Sequence, residues 1–399
     1  MNSKLSHLNS DQIIEMMKRY YEGGEKVAGL ISDYELSAQP STFVGQFPPY
    51  EHDDQYCPYC EGQKLVSKRM SRDRGAWAIG APTCPSCNHS EQRHCRCKNC
   101  LEYEAHIQQN RDLRKQQIIQ DRYGVLRRSA PGASELSLRD AVYLLCVSRH
   151  SLSEDFYSVS PFSENLKSLA PTYEFQNEIV QHLFVKGMIS ISGESDPSAF
   201  EFDEELTETD AYYPARVIWE FLPSMTDEEK RIYLKEVEAI AKSDDWVEQW
   251  KADEASLWQL IAKYECFEYY SYLLSQRGYD REEYGPKTHS VFEAMLETYS
   301  VSQIFNLSWQ AVRDTTDYIV RESLPRYHAK NTFIGAIQRK ADKATAEGWE
   351  VKCSRRDFKC PQTVVSSTFF DVFLELGQAA FDTTPPPDSP TPPTDMVFT

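Results

Sequence analysis

Seven of the chain's 11 cysteines fall between residues 57 and 100. Four of them form two CPxC pairs, Cys57-Pro58-Tyr59-Cys60 and Cys84-Pro85-Ser86-Cys87. Three more follow at Cys95, Cys97 and Cys100, with His89 and His94 beside them. A CxxC turn aims two thiolates at one ion while backbone N–H groups support the sulfurs, and thiolate with imidazole is a ligand set that suits Zn2+. Seven cysteines with a histidine supply enough ligands for two tetrahedral ions. Three arrangements are open. A sequential one gives Cys57, Cys60, Cys84 and Cys87 to one ion and His94, Cys95, Cys97 and Cys100 to the other. An interleaved one joins Cys57 and Cys60 to Cys97 and Cys100, leaving Cys84 and Cys87 with Cys95 and either His94 or His89. The third is a single ion. The crowding of His94, Cys95 and Cys97 around one ion favours interleaving.

Such ligand sets are closed and hold a shape. A catalytic zinc keeps an open position for water beside a general base, and a deaminase needs a His-x-Glu ahead of its cysteine pair, which this sequence lacks. A Gly-rich phosphate loop, GxSxG and HExxH are all absent. Glu350-Val351-Lys352 has the form of half a metal-dependent nuclease site if it lies on a strand; such a site also needs an upstream acid, and Asp342 falls in an expected helix with no clear strand before it. Cys353 and Cys360 read as core thiols.

Two CPxC knuckles about 25 residues apart resemble a zinc ribbon, which implies a small β structure pinned at both ends by metal. Between the knuckles, Lys64, Lys68, Arg69, Arg72 and Arg74 with Trp77 form a basic, partly aromatic finger. DNA or RNA is the partner this chemistry suggests, through phosphate contact and stacking on Trp77; the alternative is a solvated hairpin with Trp77 as its local core. Arg111, Arg114, Lys115, Arg122, Arg127 and Arg128 extend the basic surface. Residues 56–130 carry 14 Lys and Arg against 7 Asp and Glu, whereas residues 131–399 carry 25 against 45. Only the cysteine-rich segment could therefore attract a polyanion, and the acidic body points to a protein partner.

Upstream, residues 10–47 read as three short helices. Ser10 and Asp11 are N-cap residues ahead of Ile13, Ile14, Met17 and Tyr21. Gly23-Gly24 breaks the first helix, Val27, Leu30, Ile31 and Tyr34 stripe the second, and Pro40 opens the third with Phe43, Val44 and Phe47. Gly24, Val27-Ala28, Leu30-Ile31, Tyr34, Leu36-Ser37 and Ser41-Thr42-Phe43-Val44 resemble the helix-turn-helix of transposases and resolvases. That resemblance implies a DNA-reading helix at Ser41–Gln46, a segment with no Lys or Arg.

Downstream, residues 101–123 read as a long polar helix closed by Gly124, and Ser137 caps a helix over Leu138–Val147. A helix at 173–186, Gly187, a strand Met188–Ser192, a turn and a strand Ala199–Phe202 resemble the end of a winged helix, with Glu194 and Asp196 on the wing. From Thr226, whose spacing to Glu229 is that of a capping box, the pattern is helical. Helices are expected near 288–298, 300–323, 329–346 and 364–380, with a strand at Trp349–Cys353.

These signals predict a mainly α chain with a small β zinc ribbon, an α+β arrangement. Its divisions are a helix-turn-helix-like module over 1–49, the ribbon and following helix over 50–124, a winged-helix-like part over 125–215, a helical domain over 216–381 and a disordered Pro-rich tail over 382–399. No apolar run is long enough to span a bilayer and the N-terminus lacks a secretory apolar stretch, so a cytoplasmic protein without membrane contact is expected.

Overall fold

A computed structural model of the chain describes residues 5–91, 94–124, 128–243, 246, 248–279, 284–323 and 332–387. The protein is mainly α-helical with a few small sheets, and it divides into two compact units, Met1–Leu113 and Arg114–Thr399. No helix of the described residues is long and apolar enough to cross a membrane.

In the first unit, helix α1 (Ser10–Tyr21) starts one residue earlier than its sequence suggests. Asn9 is the N-cap and shares a reciprocal capping box with Gln12. The face of α1 carrying Met16, Met17, Tyr20 and Tyr21 packs on Leu30 of α2 (Val27–Asp33) and on Phe43 and Phe47. Arg19 ties the corner together, its guanidinium reaching Glu25 at 2.6 Å and Asp33 at 2.7 Å. The expected third helix is not formed: residues after Pro40 make two 3-10 turns, Pro40–Thr42 and Val44–Gln46. Phe47 is extended (φ −64°, ψ 142°), as the steric demand of Pro48 requires, so no room remains for a full α-helical turn. Strands β1 (Tyr50–Tyr56) and β2 (Lys64–Ser67) then pair antiparallel, with bridges from Val66 to Thr83 and from Thr83 to Ser90 widening the ribbon.

Helix α3 (Lys98–Tyr123) begins in the first unit and ends in the second. Its residues from Leu101 to Arg114 are exposed, and it buries Ile118 and Ile119 only in its last turns.

In the second unit, α4 (Leu138–Ser151) is capped by Ser137 in a box with Asp140. Strand β3 (Ser158–Val159), α5 (Tyr173–Val185) and β4 (Ile189–Ile191) follow. The expected hairpin between β4 and residues 199–202 is not formed. β4 pairs with β7 (Trp219–Phe221) in a sheet of order β3-β7-β4, while β5 (Phe200–Phe202) pairs with β6 (Thr209–Tyr212). Buried Ser195 explains the rerouting. Its Oγ donates to Ile218 O (3.1 Å) and accepts from Ile218 N–H (3.0 Å), stitching the turn after β4 to the approach of β7.

Helices α6 (Asp227–Ala241), capped by Thr226 and Glu229 as expected, α7 (Glu248–Ser275), α8 (Pro286–Leu296), α9 (Val301–Arg321) and α10 (Thr332–Ala346) complete the body. One hydrophobic cluster runs from Ile119 to Phe381, with α7 at its centre. Residues 349–356 are irregular rather than a strand, so Glu350 and Lys352 lack the scaffold a nuclease site would need. That loop is held instead by a buried ion pair, Arg356 to Glu265 at 2.9 and 3.2 Å, with Ser366 Oγ also donating to Glu265 at 2.8 Å. The last expected helix is broken into Val364–Ser367, a π-helical stretch Thr368–Phe373 and Ala379–Asp382. Of the tail, residues 383–387 are described. Pro385 is buried and Gln259 Nε2 donates to Pro386 O at 3.0 Å, which ties the start of this segment to α7; residues 388–399 lie outside the described residues.

Candidate metal centre

Two local folds present the ligand atoms. In each CPxC turn the chain reverses through a left-handed residue, Gly62 (φ 69°) after the first pair and Asn88 (φ 61°) after the second. Glycine and asparagine tolerate that conformation best. The first turn is closed by Cys57 N–H donating to Gln63 O (2.9 Å), the second by Cys84 N–H donating to His89 O (2.7 Å).

The seven cysteines form two groups with one histidine: Cys57, Cys60, Cys84 and Cys87, and His89, Cys95, Cys97 and Cys100. Within each, the ligand atoms lie within 4.8 Å of one another. Tetrahedral coordination with Zn–S near 2.3 Å and Zn–N near 2.0 Å puts neighbouring ligand atoms about 3.5–3.8 Å apart. Cys57 Sγ and Cys87 Sγ are 3.6 Å apart, Cys97 Sγ and His89 Nδ1 3.9 Å, and Cys100 Sγ and His89 Nδ1 3.2 Å. Both groups could therefore hold a metal ion such as zinc.

The two candidate groups are sequential along the chain rather than interleaved, and the histidine brought beside Cys95, Cys97 and Cys100 is His89. His94 is exposed and stands outside the group. The crowding anticipated for the second group is relieved because His89, on the far side of the Ser90 turn, takes the fourth position. Nothing in the cysteine spacing distinguishes the two histidines. The distinction rests on the backbone bond from Cys84 to His89, which draws His89 under the second knuckle.

The thiols are electrostatically unequal. Burial opposes ionisation of Cys84, but backbone N–H groups of Cys87 and Ser86 and the adjacent thiols outweigh it and hold this thiol down at about 7. Backbone N–H groups of Cys97 and Ser90 likewise lower Cys95, the Ser90 N–H lying 3.2 Å from its sulfur. Burial pushes Cys87 up to about 12 and Cys100 to about 11. Each group thus has sulfurs already supplied with backbone N–H donors, the arrangement that stabilises a metal-bound thiolate.

The groups are interlocked. His89 gives its imidazole to the second group, while its backbone carbonyl closes the knuckle of the first and its N–H faces Cys87. Tyr59, inside the first CPxC pair, reaches back. Its ring packs edge-on to His89 (centroids 5.1 Å, 84°), and its hydroxyl lies 3.6 Å from Cys100 Sγ. The sequence did not single out Tyr59, because a tyrosine inside a knuckle carries no spacing signal of its own.

The basic finger is mostly engaged within its own unit. Arg72 donates to the carbonyls of Glu25 (2.9 Å) and Tyr20 (3.2 Å) and lies over the Tyr20 ring. Trp77, held at φ 58°, packs on Tyr21 (centroids 4.9 Å) and donates Nε1–H to Glu22 at 3.0 Å. Arg69 lies over the Tyr50 and Trp77 rings, and Lys64 pairs with Asp53 at 2.8 Å. Lys68 and Arg74 are exposed. Further along, Arg114 donates to Leu206 O, Arg122 to Thr209 O, and Lys115 lies over Phe202, so these cations seat the end of α3 on the β5–β6 hairpin. Arg111 and Arg128 are exposed, and Arg127 lies outside the described residues.

No protein-family model matches the chain, and no curated protein and no solved structure matches it either.

Proposed function

We propose that the protein is a zinc-dependent adaptor. Two structural zinc ions build a small ribbon, the ribbon locks the N-terminal helices in place, and the assembled unit binds a protein partner. The observation that carries this reading is the fate of the finger. Arg72 and Trp77 spend their cationic and aromatic groups on Tyr20, Tyr21, Glu22 and Glu25, clamping the two halves of the unit rather than offering phosphate contacts. The pairing of β1 with β2 and the bridges at Thr83 and Ser90 support a zinc ribbon. In the second unit, α4, β3, α5, β4 and β7 with sheet order β3-β7-β4 support a winged-helix-like arrangement. The exposed side of its helix α5 carries Glu174 and partly buried Glu178, which favours a protein surface over DNA. Thiolate ligands fit a reducing compartment such as the cytoplasm.

Nucleic-acid binding is the second reading, supported by exposed Lys68 and Arg74 and by the basic balance of residues 56–130. A mobility-shift series on single- and double-stranded DNA and RNA, run from low to physiological salt with the zinc-loaded full chain, separates the two. The adaptor reading expects no complex at micromolar protein. A complex whose affinity falls steeply with salt, and weakens with Lys68→Ala and Arg74→Ala, establishes the second reading instead.

A further inference from the structure

A cavity of about 830 Å³ lies in the first unit between α1, the segment Val44–Pro49 and the second CPxC knuckle. It is a trough open along one side, walled by Ile13, Ile14, Met17, Val44, Phe47 and Pro49. Its volume falls in the range of sites that bury a ligand of several apolar groups. The apolar surface does not stop at the rim, since Ile14 is 51% exposed. A small molecule would be contained by the trough. A peptide would continue over its edge.

The charge of the trough is unlike that of the chain. The protein carries 61 Asp and Glu against 43 Lys and Arg, yet no acid lines the trough, and two cations, Lys68 and Arg69, do. Neither forms an ion pair among the described residues, and Arg69 Nε is buried with no hydrogen-bond partner. A charged group without an acidic neighbour keeps its full charge, and an incoming carboxylate reaching the Lys68 ammonium and the Arg69 guanidinium would offset it. Nucleobases are poorly served here. The stacking surface of Trp77 is already taken by Tyr21 and its indole N–H by Glu22.

From this juxtaposition we infer that the trough is the docking site for a short apolar peptide segment of a partner protein that places an Asp or Glu carboxylate against Lys68 and Arg69. This rests on the adaptor reading and names the partner's chemistry. Cys84, Pro85 and Asn88 of the second knuckle form one wall, so a metal ion held by the first ligand group would brace that wall.

The test pans a phage-displayed random dodecapeptide library against the full chain carrying its zinc, and measures the enriched sequences as synthetic peptides by fluorescence anisotropy. Enriched peptides should combine aliphatic or aromatic residues with an Asp or Glu. Changing that acid to its amide should weaken binding about tenfold, as loss of a charge-assisted hydrogen bond does, and the loss should vanish in a Lys68→Gln, Arg69→Gln chain. Ile14→Asp should abolish binding. As a check that does not depend on variant folding, the same peptides bearing a benzophenone should crosslink the unaltered chain at α1 or Val44–Pro49. The inference is overturned by no enrichment, by enrichment of Lys- or Arg-rich peptides, by crosslinks elsewhere, or by displacement with an oligonucleotide. Zinc measured in the same preparation keeps the two conclusions apart. Zinc present without peptide binding removes the docking site alone, and zinc absent from reduced protein removes the adaptor reading.

Discussion

The Tyr59 hydroxyl, on the knuckle of one ligand group, lies 3.6 Å from Cys100 Sγ in the other. With a metal-bound thiolate at Cys100 the phenol O–H would be the donor, so one knuckle would supply an outer hydrogen bond to a sulfur ligand of the other group. Outer partners of this kind typically change metal affinity by 10–100-fold. Tyr59→Phe should therefore speed zinc release from the second group by about tenfold and leave the first unchanged. Chelator-driven release followed with a colorimetric indicator would show one accelerated phase of two; two unchanged phases would refute the coupling.

Native mass spectrometry of reduced protein should show two zinc ions. Cys57→Ser and Cys97→Ser should each drop the count. The telling pair is histidine: His89→Ala should lose the second ion, and His94→Ala should keep both, because only His89 lies within ligand distance of Cys95, Cys97 and Cys100. The opposite result would reassign the fourth ligand.

Glu268, on α7, sits in a setting that disfavours its charge. Burial and the nearby Glu265 carboxylate push it up to about 8, against the partial relief of Arg356. Between the ordinary glutamate value of 4.5 and about 8, the native state keeps a proton that the unfolded chain has released, so stability falls as pH rises across that window. Glu268→Gln should be nearly neutral at pH 5 and stabilising by about 3 kcal/mol near pH 8.5. Urea unfolding at both pH values checks this; an equal effect at each would show that Glu268 ionises freely in the folded protein.

Asp140 behaves in the opposite sense. Burial disfavours its charge, but His182 Nε2 at 2.5 Å and the Ser137 backbone and hydroxyl more than compensate, holding it at about 2. Its contribution is present above the ordinary aspartate value of 3.8 and is lost as pH falls toward 2. Asp140→Asn should cost about 2 kcal/mol at pH 7 and almost nothing near pH 2. A cost that persists at pH 2 would mean the side chain matters for packing rather than for its charge.

The sequence was most legible where chemistry is local. The CPxC pairs, the Ser137 and Thr226 caps and the amphipathic spacing of the late helices each depend on residues within one or two turns. What could not be read was set by contacts across long separations. The third N-terminal segment has helical spacing, yet Pro48 and the burial of Phe43 and Phe47 compress it into 3-10 turns. β4 alternates like half a hairpin, yet its partner is β7, nearly thirty residues on, because Ser195 fastens the intervening turn to Ile218. The finger looked like a phosphate grip because charge and aromaticity were countable; that Tyr20 and Glu25 would claim Arg72 was not.

Helix α3 starts at a ligand. Cys97 occupies the residue before it, its Sγ accepting from Cys100 N–H at 3.4 Å and its carbonyl from Leu101 N–H at 3.1 Å, so a candidate ligand sulfur stands where a capping side chain would. From there to Arg114 the helix buries nothing, and its next support is the hairpin that receives Arg114, Arg122 and Ile119. The exposed stretch has no apolar seam of its own to keep it wound. Oxidation of Cys97 or Cys100 would remove that support and fray the helix from its first turn.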